Sequence, residues 1–351
     1  MKAESLLAPA FYGDLLDGNF EKLLLEKYSQ AKIMILVDEN TNEYCLSHLI
    51  LNNSLLSRAE VFEVPAGESS KSIEIANQLW EALSEYQFSR TDLIINLGGG
   101  MVCDLGGFVA SLYKRGIDFI NVPTSLLAMV DASIGGKTGI DLGALKNQIG
   151  VFSAARALFV DPVFLSTLPE SEKKNGLGEM FKHALLKSKS DFELLLNKIE
   201  DEKYLELNFI QKSSQVKVDL VQEDPTEKGP RKLLNLGHTI GHALEGHFLT
   251  AKPIDHGHAV AIGLYLEALI SNLTKRLSND ELSLISKILP LYPAIKLDKN
   301  GVTNCMDLLL HDKKNQYGEI RFVLLNGIGN AEADQVVDTK IVEEVLLTLV
   351  D

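Results

Sequence analysis

The stretch DLIINLGGGMVCDLGGFVASLY, residues 92–113, decides the fold of the first half of this chain. DLIINL is an apolar run of strand length. Gly98-Gly99-Gly100 is a turn, and MVCDLGGFVASLY reads as a helix. Glycines at a strand-to-helix turn let the backbone approach a pyrophosphate, which the helix N-terminus then holds. The run is not GxGxxG, so the glycines alone fit a tight turn between packed elements equally well.

Working outward, residues 33–37 (IMILV), 59–64 (AEVFEV) and 117–122 read as further strands, and residues 70–86 as a helix. Short apolar strands alternating with helices predict an α/β domain with a largely parallel sheet. Asp38 follows the first of these strands, where a carboxylate suits a ribose hydroxyl or simply forms a turn. From about Ser171 the pattern turns helical, with amphipathic runs over 191–199 and 205–221. The boundary falls in DPVFLSTLPESEKKNG, punctuated by Pro162 and Pro169. Residues 320–325 return to a short strand. The expectation is a nucleotide-binding α/β domain over 1–170 and an all-α metal- and substrate-binding domain over 171–351.

With 351 residues the chain is too long for one small core. Its net charge of −14 argues against a nucleic-acid partner, which needs a basic face. The three cysteines, Cys45, Cys103 and Cys305, are scattered and form no CxxC pair, which fits a reducing cytoplasm. Residues 1–16 make a poor secretory signal, broken by Pro9, and no apolar run approaches membrane-spanning length.

The metal-binding signal lies in LNLGHTIGHALEGH and IDHGHAVAIG, with Glu179 upstream in GLGEMFKHALL. A carboxylate and two imidazoles leave a coordination position open, the pattern of a catalytic zinc site. His238 and His242 are an i, i+4 pair on one helix face, and spacing favours them. It does not decide between His242, His256 and His258 as the remaining ligand. In VPTSLLAMVDASIGGKTGIDLGALKNQIGVF, Thr124, Ser125, Asp131, Lys137, Lys146 and Asn147 gather around glycine-rich loops. Lys137 and Lys146, nine residues apart, would bracket a phosphate or carboxylate. Lys182 lies one turn beyond Glu179, Lys217, Arg231 and Asn235 lead into the histidine cluster, and the 311–314 stretch HDKK adds late basic charge. Each alone is an ordinary surface residue; together they make a basic pocket beside the metal.

These motifs, with GESSKS, DPVFLSTLP and DKKNQYGEIRFVLL, run collinearly from about Asp38 to Gly329. The chain resembles the 3-dehydroquinate synthases, members of the sugar-phosphate cyclases. The resemblance implies an N-terminal NAD-binding domain, a helical metal-binding domain, and an active site between them. It implies Glu179, His238 and His256 as ligands of one Zn2+ or Co2+ per subunit, and makes His242 a phosphate contact. Lys137, Asn147, Asn235, His242 and Lys313 match the phosphate set, with Arg115 supplied across the interface of a homodimer. Lys217 and Arg231 match the carboxylate pair, and Asp131, Lys146 and Lys182 line the same site. Asp38, Glu68, Lys71, Gly99, Gly100, Asp104, Thr124, Ser125, Phe164 and Thr167 match NAD contacts, and Lys137 and Lys146 are counted with them.

The implied reaction converts 3-deoxy-D-arabino-heptulosonate 7-phosphate to 3-dehydroquinate by transient oxidation, phosphate elimination, reduction and aldol closure. Two departures stand out. The family's PTT is PTS here, which keeps a hydroxyl at Ser125. Its HGE is HGH, with His258 in place of a carboxylate, and the expectation is that His258 takes over that residue's hydrogen-bond-accepting role. Rival readings are another sugar-phosphate cyclase, a metal-dependent alcohol dehydrogenase of glycerol dehydrogenase type, and a regulatory protein without turnover.

Overall fold

The computed structural model describes residues 6–51, 53–143, 145–249, 253–310 and 319–350. These divide into two compact units. The first comprises Met1–Lys173 with Leu205–Thr226, the second Lys174–Tyr204 with Glu227–Asp351.

The first unit is built on a parallel sheet of β1 (Ala10–Tyr12), β2 (Ile33–Asp38), β3 (Glu60–Val64), β4 (Leu93–Gly98), β5 (Asp118–Pro123) and β8 (Ala157–Val160). The order is β1-β8-β5-β4-β2-β3. β4 is buried at every position and β5 at all but its first, as strands covered on both faces must be. From β2 the chain steps to β3 on one side, then crosses to β4, β5 and β8 on the other. The order therefore reverses between β2 and β4. In open α/β sheets such a reversal opens a crevice at the carboxyl ends of the strands. Asp38 ends β2 and Gly98 ends β4, so both stand at that crevice.

The expected glycine-rich lysine loops take a different form. Residues after Gly136 make an antiparallel hairpin of β6 (Lys137–Leu142) and β7 (Leu145–Phe152). Lys137 pairs with Phe152 at its root, and Lys146 follows the turn at its tip. The two lysines start about 13 Å apart along the strands. They stand at the two ends of a hairpin rather than in one loop. Alternation was hard to read here because glycine and lysine replace the usual apolar positions.

The helix Leu207–Glu223, expected in the second domain, belongs to the first unit. Its Lys217 ammonium donates to the Asp131 carboxylate at 2.7 Å and to the Asp131 carbonyl at 2.8 Å. Ser214 is hydrogen-bonded to Tyr12 of β1 at 2.8 Å. These contacts join segments far apart in sequence, which periodicity does not reveal.

The second unit centres on the helix His256–Leu273, buried along most of its length as a core helix must be. It packs on the helix His238–Phe248 and on β9 (Arg321–Leu325). β9 pairs with β10 (Ala331–Val336), a strand whose AEADQV sequence gives little β signal. The unit is thus helical with one small hairpin. Among the described residues no helix is long and apolar enough to cross a membrane.

Candidate active site

In the first unit the glycine turn is a tight cradle. A Cβ on Gly98 would lie 2.5 Å from Val102, on Gly99 3.3 Å from the Ser125 hydroxyl, and on Gly100 3.1 Å from Ala132. The helix Gly100–Leu112 starts at this cradle with no side-chain cap, so its first N–H groups face outward from Gly99. Thr124 and Ser125 follow β5 and are buried; the Thr124 N–H donates to the Gly98 carbonyl at 3.0 Å. This suits a dinucleotide: close backbone approach, a free helix N-terminus and hydroxyls beside it. Asp38 is partly committed, since its Oδ1 accepts from the Thr41 N–H and hydroxyl in a capping box.

Beside this turn Lys71 is buried, its Nζ 2.7 Å from Asp104 Oδ2, 2.6 Å from Asn147 Oδ1 and 3.6 Å from Glu68. Burial pushes the Asp104 carboxyl up, and Lys71 opposes that shift. Four residues matched separately to cofactor and phosphate contacts thus form one network. Phe164 lies within, and Thr167 ends, a short helix capped by Asp161. Arg115 is exposed, at the tip of a turn in which Lys114 and Arg115 take φ of 50° and 67°.

In the second unit the helix Glu170–Lys187 brings in Glu179 and Lys182, one turn apart and both buried. His238 and His256 each open a helix. Glu179 Oε1 lies 3.2 Å from His238 Nε2 and 3.2 Å from His256 Nε2, and its Oε2 pairs with the Lys182 ammonium. His238 Nδ1 donates to the Leu236 carbonyl at 3.1 Å, and His256 Nδ1 faces the Glu245 carboxylate at 3.3 Å. With each Nδ1 proton held by an oxygen, each Nε2, once deprotonated, would offer its lone pair to a cation. Bonds of about 2.0–2.1 Å at tetrahedral angles separate ligand atoms by about 3.3 Å, so these spacings fit a zinc-type ion.

Electrostatics agree with this reading. Burial alone would raise Glu179, but Lys182 and His238 hold its carboxyl well below the usual range. Burial pushes His238 down. His256 moves the other way, to about 9, because Glu179 and Glu245 outweigh the effect of burial.

His242, favoured by spacing, is exposed, with its ring centroid 5.2 Å from that of His238 and 5.9 Å from that of His256. It joins a second candidate grouping, with Glu245 and His256. His258 is not a donor in any candidate grouping among the described residues. Its Nε2 is 2.8 Å from the Pro293 carbonyl, and its ring stacks on Tyr292. A carbonyl only accepts, so His258 Nε2 donates here, which leaves Nδ1 as the accepting nitrogen of the neutral ring. Arg231 is buried, and Asn235 donates to Glu227 at 3.0 Å. Lys217 and Arg231, the expected carboxylate pair, stand in different units. Lys313 lies outside the described residues. Glu245 escaped sequence reading, although its place two turns beyond His238 on one helix was a usable signal.

The 3-dehydroquinate synthase N-terminal family model matches residues 61–175, and the C-terminal model matches residues 176–315. The chain belongs to the 3-dehydroquinate synthase family. A 3-dehydroquinate synthase of Parabacteroides distasonis is 41% identical over 324 residues, 91% of this chain and 92% of that one. Among solved structures, 2-epi-5-epi-valiolone synthase of Streptomyces hygroscopicus, with NAD+ and Zn2+ bound, aligns with a TM-score of 0.85. It is 26% identical over 99% of this chain and 98% of its own. A 2-deoxy-scyllo-inosose synthase, solved with carbaglucose-6-phosphate, NAD+ and Co2+, shares the fold. Its TM-score is 0.81 and its identity 24%, over 96% of this chain and 95% of its own.

Proposed function

We propose that this protein is a phosphate-eliminating carbon–oxygen lyase that turns 3-deoxy-D-arabino-heptulosonate 7-phosphate into 3-dehydroquinate, in the shikimate route to aromatic amino acids. The observation that carries the reading is the donor triangle of Glu179, His238 and His256 in a chain of this family. The matching family models speak for this substrate rather than that of another cyclase.

When bound, NAD supplies a reversible hydride acceptor, and the divalent ion, Zn2+ or Co2+, supplies a Lewis acid for the hydroxyl being oxidised. Glu179, His238 and His256 would hold the ion, and Lys182 balances the second oxygen of Glu179. The glycine turn, with Asp38, Glu68, Lys71, Asp104, Thr124, Ser125, Phe164 and Thr167, would hold NAD. Lys217 and Arg231 would bind the substrate carboxylate, Arg231 with its bidentate fork. Asp131, already paired with Lys217, limits how far that lysine is neutralised by substrate. Lys137, Lys146, Asn147, Asn235, His242 and Lys313 would position the phosphate for departure. The exposed Arg115 suits contribution from a second copy of the chain in a homodimer. Positioning and exclusion of water protect the reactive ketone. Scattered, buried free cysteines fit a cytoplasmic enzyme.

The test is phosphate release from the heptulosonate phosphate by protein supplied with NAD. Release should vanish on chelation and return with Zn2+ or Co2+. Full release from metal-free protein, checked by elemental analysis, would sink the reading.

A further inference from the structure

The helices that open on His238 and His256 both lack a cap of their own. Gly237, with φ of +79°, precedes the first and has no side chain; Asp255 precedes the second and makes no capping bond. The first N–H groups of a buried helix need partners. Here the partners come from neighbouring helices. Glu267 Oε2 accepts from the Gly237 N–H at 2.6 Å and its Oε1 from the Ile240 N–H at 3.1 Å. Glu267 is fully buried and lies on the His256 helix, three turns beyond that histidine. Asn175 Oδ1 accepts from the Gly257 N–H at 2.6 Å, and Asn175 lies one turn before Glu179 on its helix.

The caps therefore form a chain. The Glu179 helix caps the His256 helix, and the His256 helix caps the His238 helix. A cap from the same segment fixes only a local turn, whereas a cap from another helix also fixes the spacing between the two. The backbones leave little slack at these points. A Cβ on Gly178 would lie 2.2 Å from the Gly257 carbonyl oxygen, and one on Gly263 2.0 Å from the Gly237 carbonyl oxygen.

We propose that Asn175 and Glu267 are positioning residues that set the Glu179–His238–His256 triangle by capping, across helices, the two turns that carry the histidines. This rests on the metal reading of that triangle. Neither residue touches the ion or substrate; both act through the helix ends. Partners one step removed from a metal ligand typically change affinity by about 10–100-fold.

The test is Co2+ titration of the metal-stripped full chain, read by d–d absorption, with NAD binding and thermal melting as checks on the fold. Asn175→Ala and Glu267→Gln should weaken Co2+ binding at least about tenfold and change the band envelope. Asn175→Asp, which still accepts at a helix N-terminus, should restore both. Wild-type affinity and an unchanged spectrum in Asn175→Ala and Glu267→Gln would overturn the proposal. If Glu267→Gln does not fold, the Asn175→Ala and Asn175→Asp pair decides alone. Failure of the wild-type chain to bind Co2+ would instead overturn the metal reading, and this proposal with it.

Discussion

His256 Nδ1 stands 3.3 Å from the Oε2 of Glu245, a carboxylate on the neighbouring His238 helix. This contact fixes the imidazole's tautomer and turns Nε2 toward Glu179. Glu245→Gln keeps the shape but removes the charge. Metal affinity should fall by about 10-fold or more, measured by competition with a chromophoric chelator. An unchanged affinity would mean that Glu245 does not orient His256.

His256 also sets a pH dependence. Its pKa of about 9 lies above the ordinary 6.5: burial works against the charge, and Glu179 and Glu245 prevail. A raised folded-state value means that the charged imidazole stabilises the metal-free protein fully below pH 6.5. That contribution is lost as pH rises through about 9. A binding metal must displace this proton, so affinity should climb over the same window. Calorimetry at pH 7.5 in buffers of different ionisation enthalpy should show net proton release. No release would contradict the assignment.

The pair Lys71–Asp104 should behave as a buried couple. Lys71→Met leaves Asp104 without its chief counter-ion and should cost about 3 kcal/mol of unfolding free energy. Adding Asp104→Asn should recover part of that loss. Strictly additive losses in denaturant unfolding would show that the two do not interact.

His258 marks where this chain leaves the family pattern. His258→Glu would set a carboxylate against the Pro293 carbonyl, so stability should drop by about 0.5–1.5 kcal/mol while metal stoichiometry holds. His256→Ala should lose the metal. Comparable metal loss in both would mean that the ligand set is wrong.

Much of this architecture was readable from local signals. The runs at 33–37 and 93–97 lack polar interruption except at Asn96, and strands buried on both faces look that way. The GGG turn announced the strand-to-helix junction. The hairpin at Lys137–Phe152 hid behind glycines and lysines, and β10 behind charge. Helical spacing correctly made Leu207–Glu223 a helix, but only Lys217–Asp131 and Ser214–Tyr12 reveal what it packs against. At the site, i, i+4 spacing pointed to His238 with His242. The pair that faces Glu179 is His238 with His256, because two helix N-termini meet there. Periodicity describes one helix at a time. Glu267 and Asn175, which act between helices, leave no trace in it.

The most direct test of the account is the balance of products in steady turnover with catalytic NAD and 3-deoxy-D-arabino-heptulosonate 7-phosphate. The account predicts one phosphate released per 3-dehydroquinate formed, with no net gain of NADH absorbance. Steady accumulation of NADH without phosphate would contradict it and identify a simple dehydrogenase.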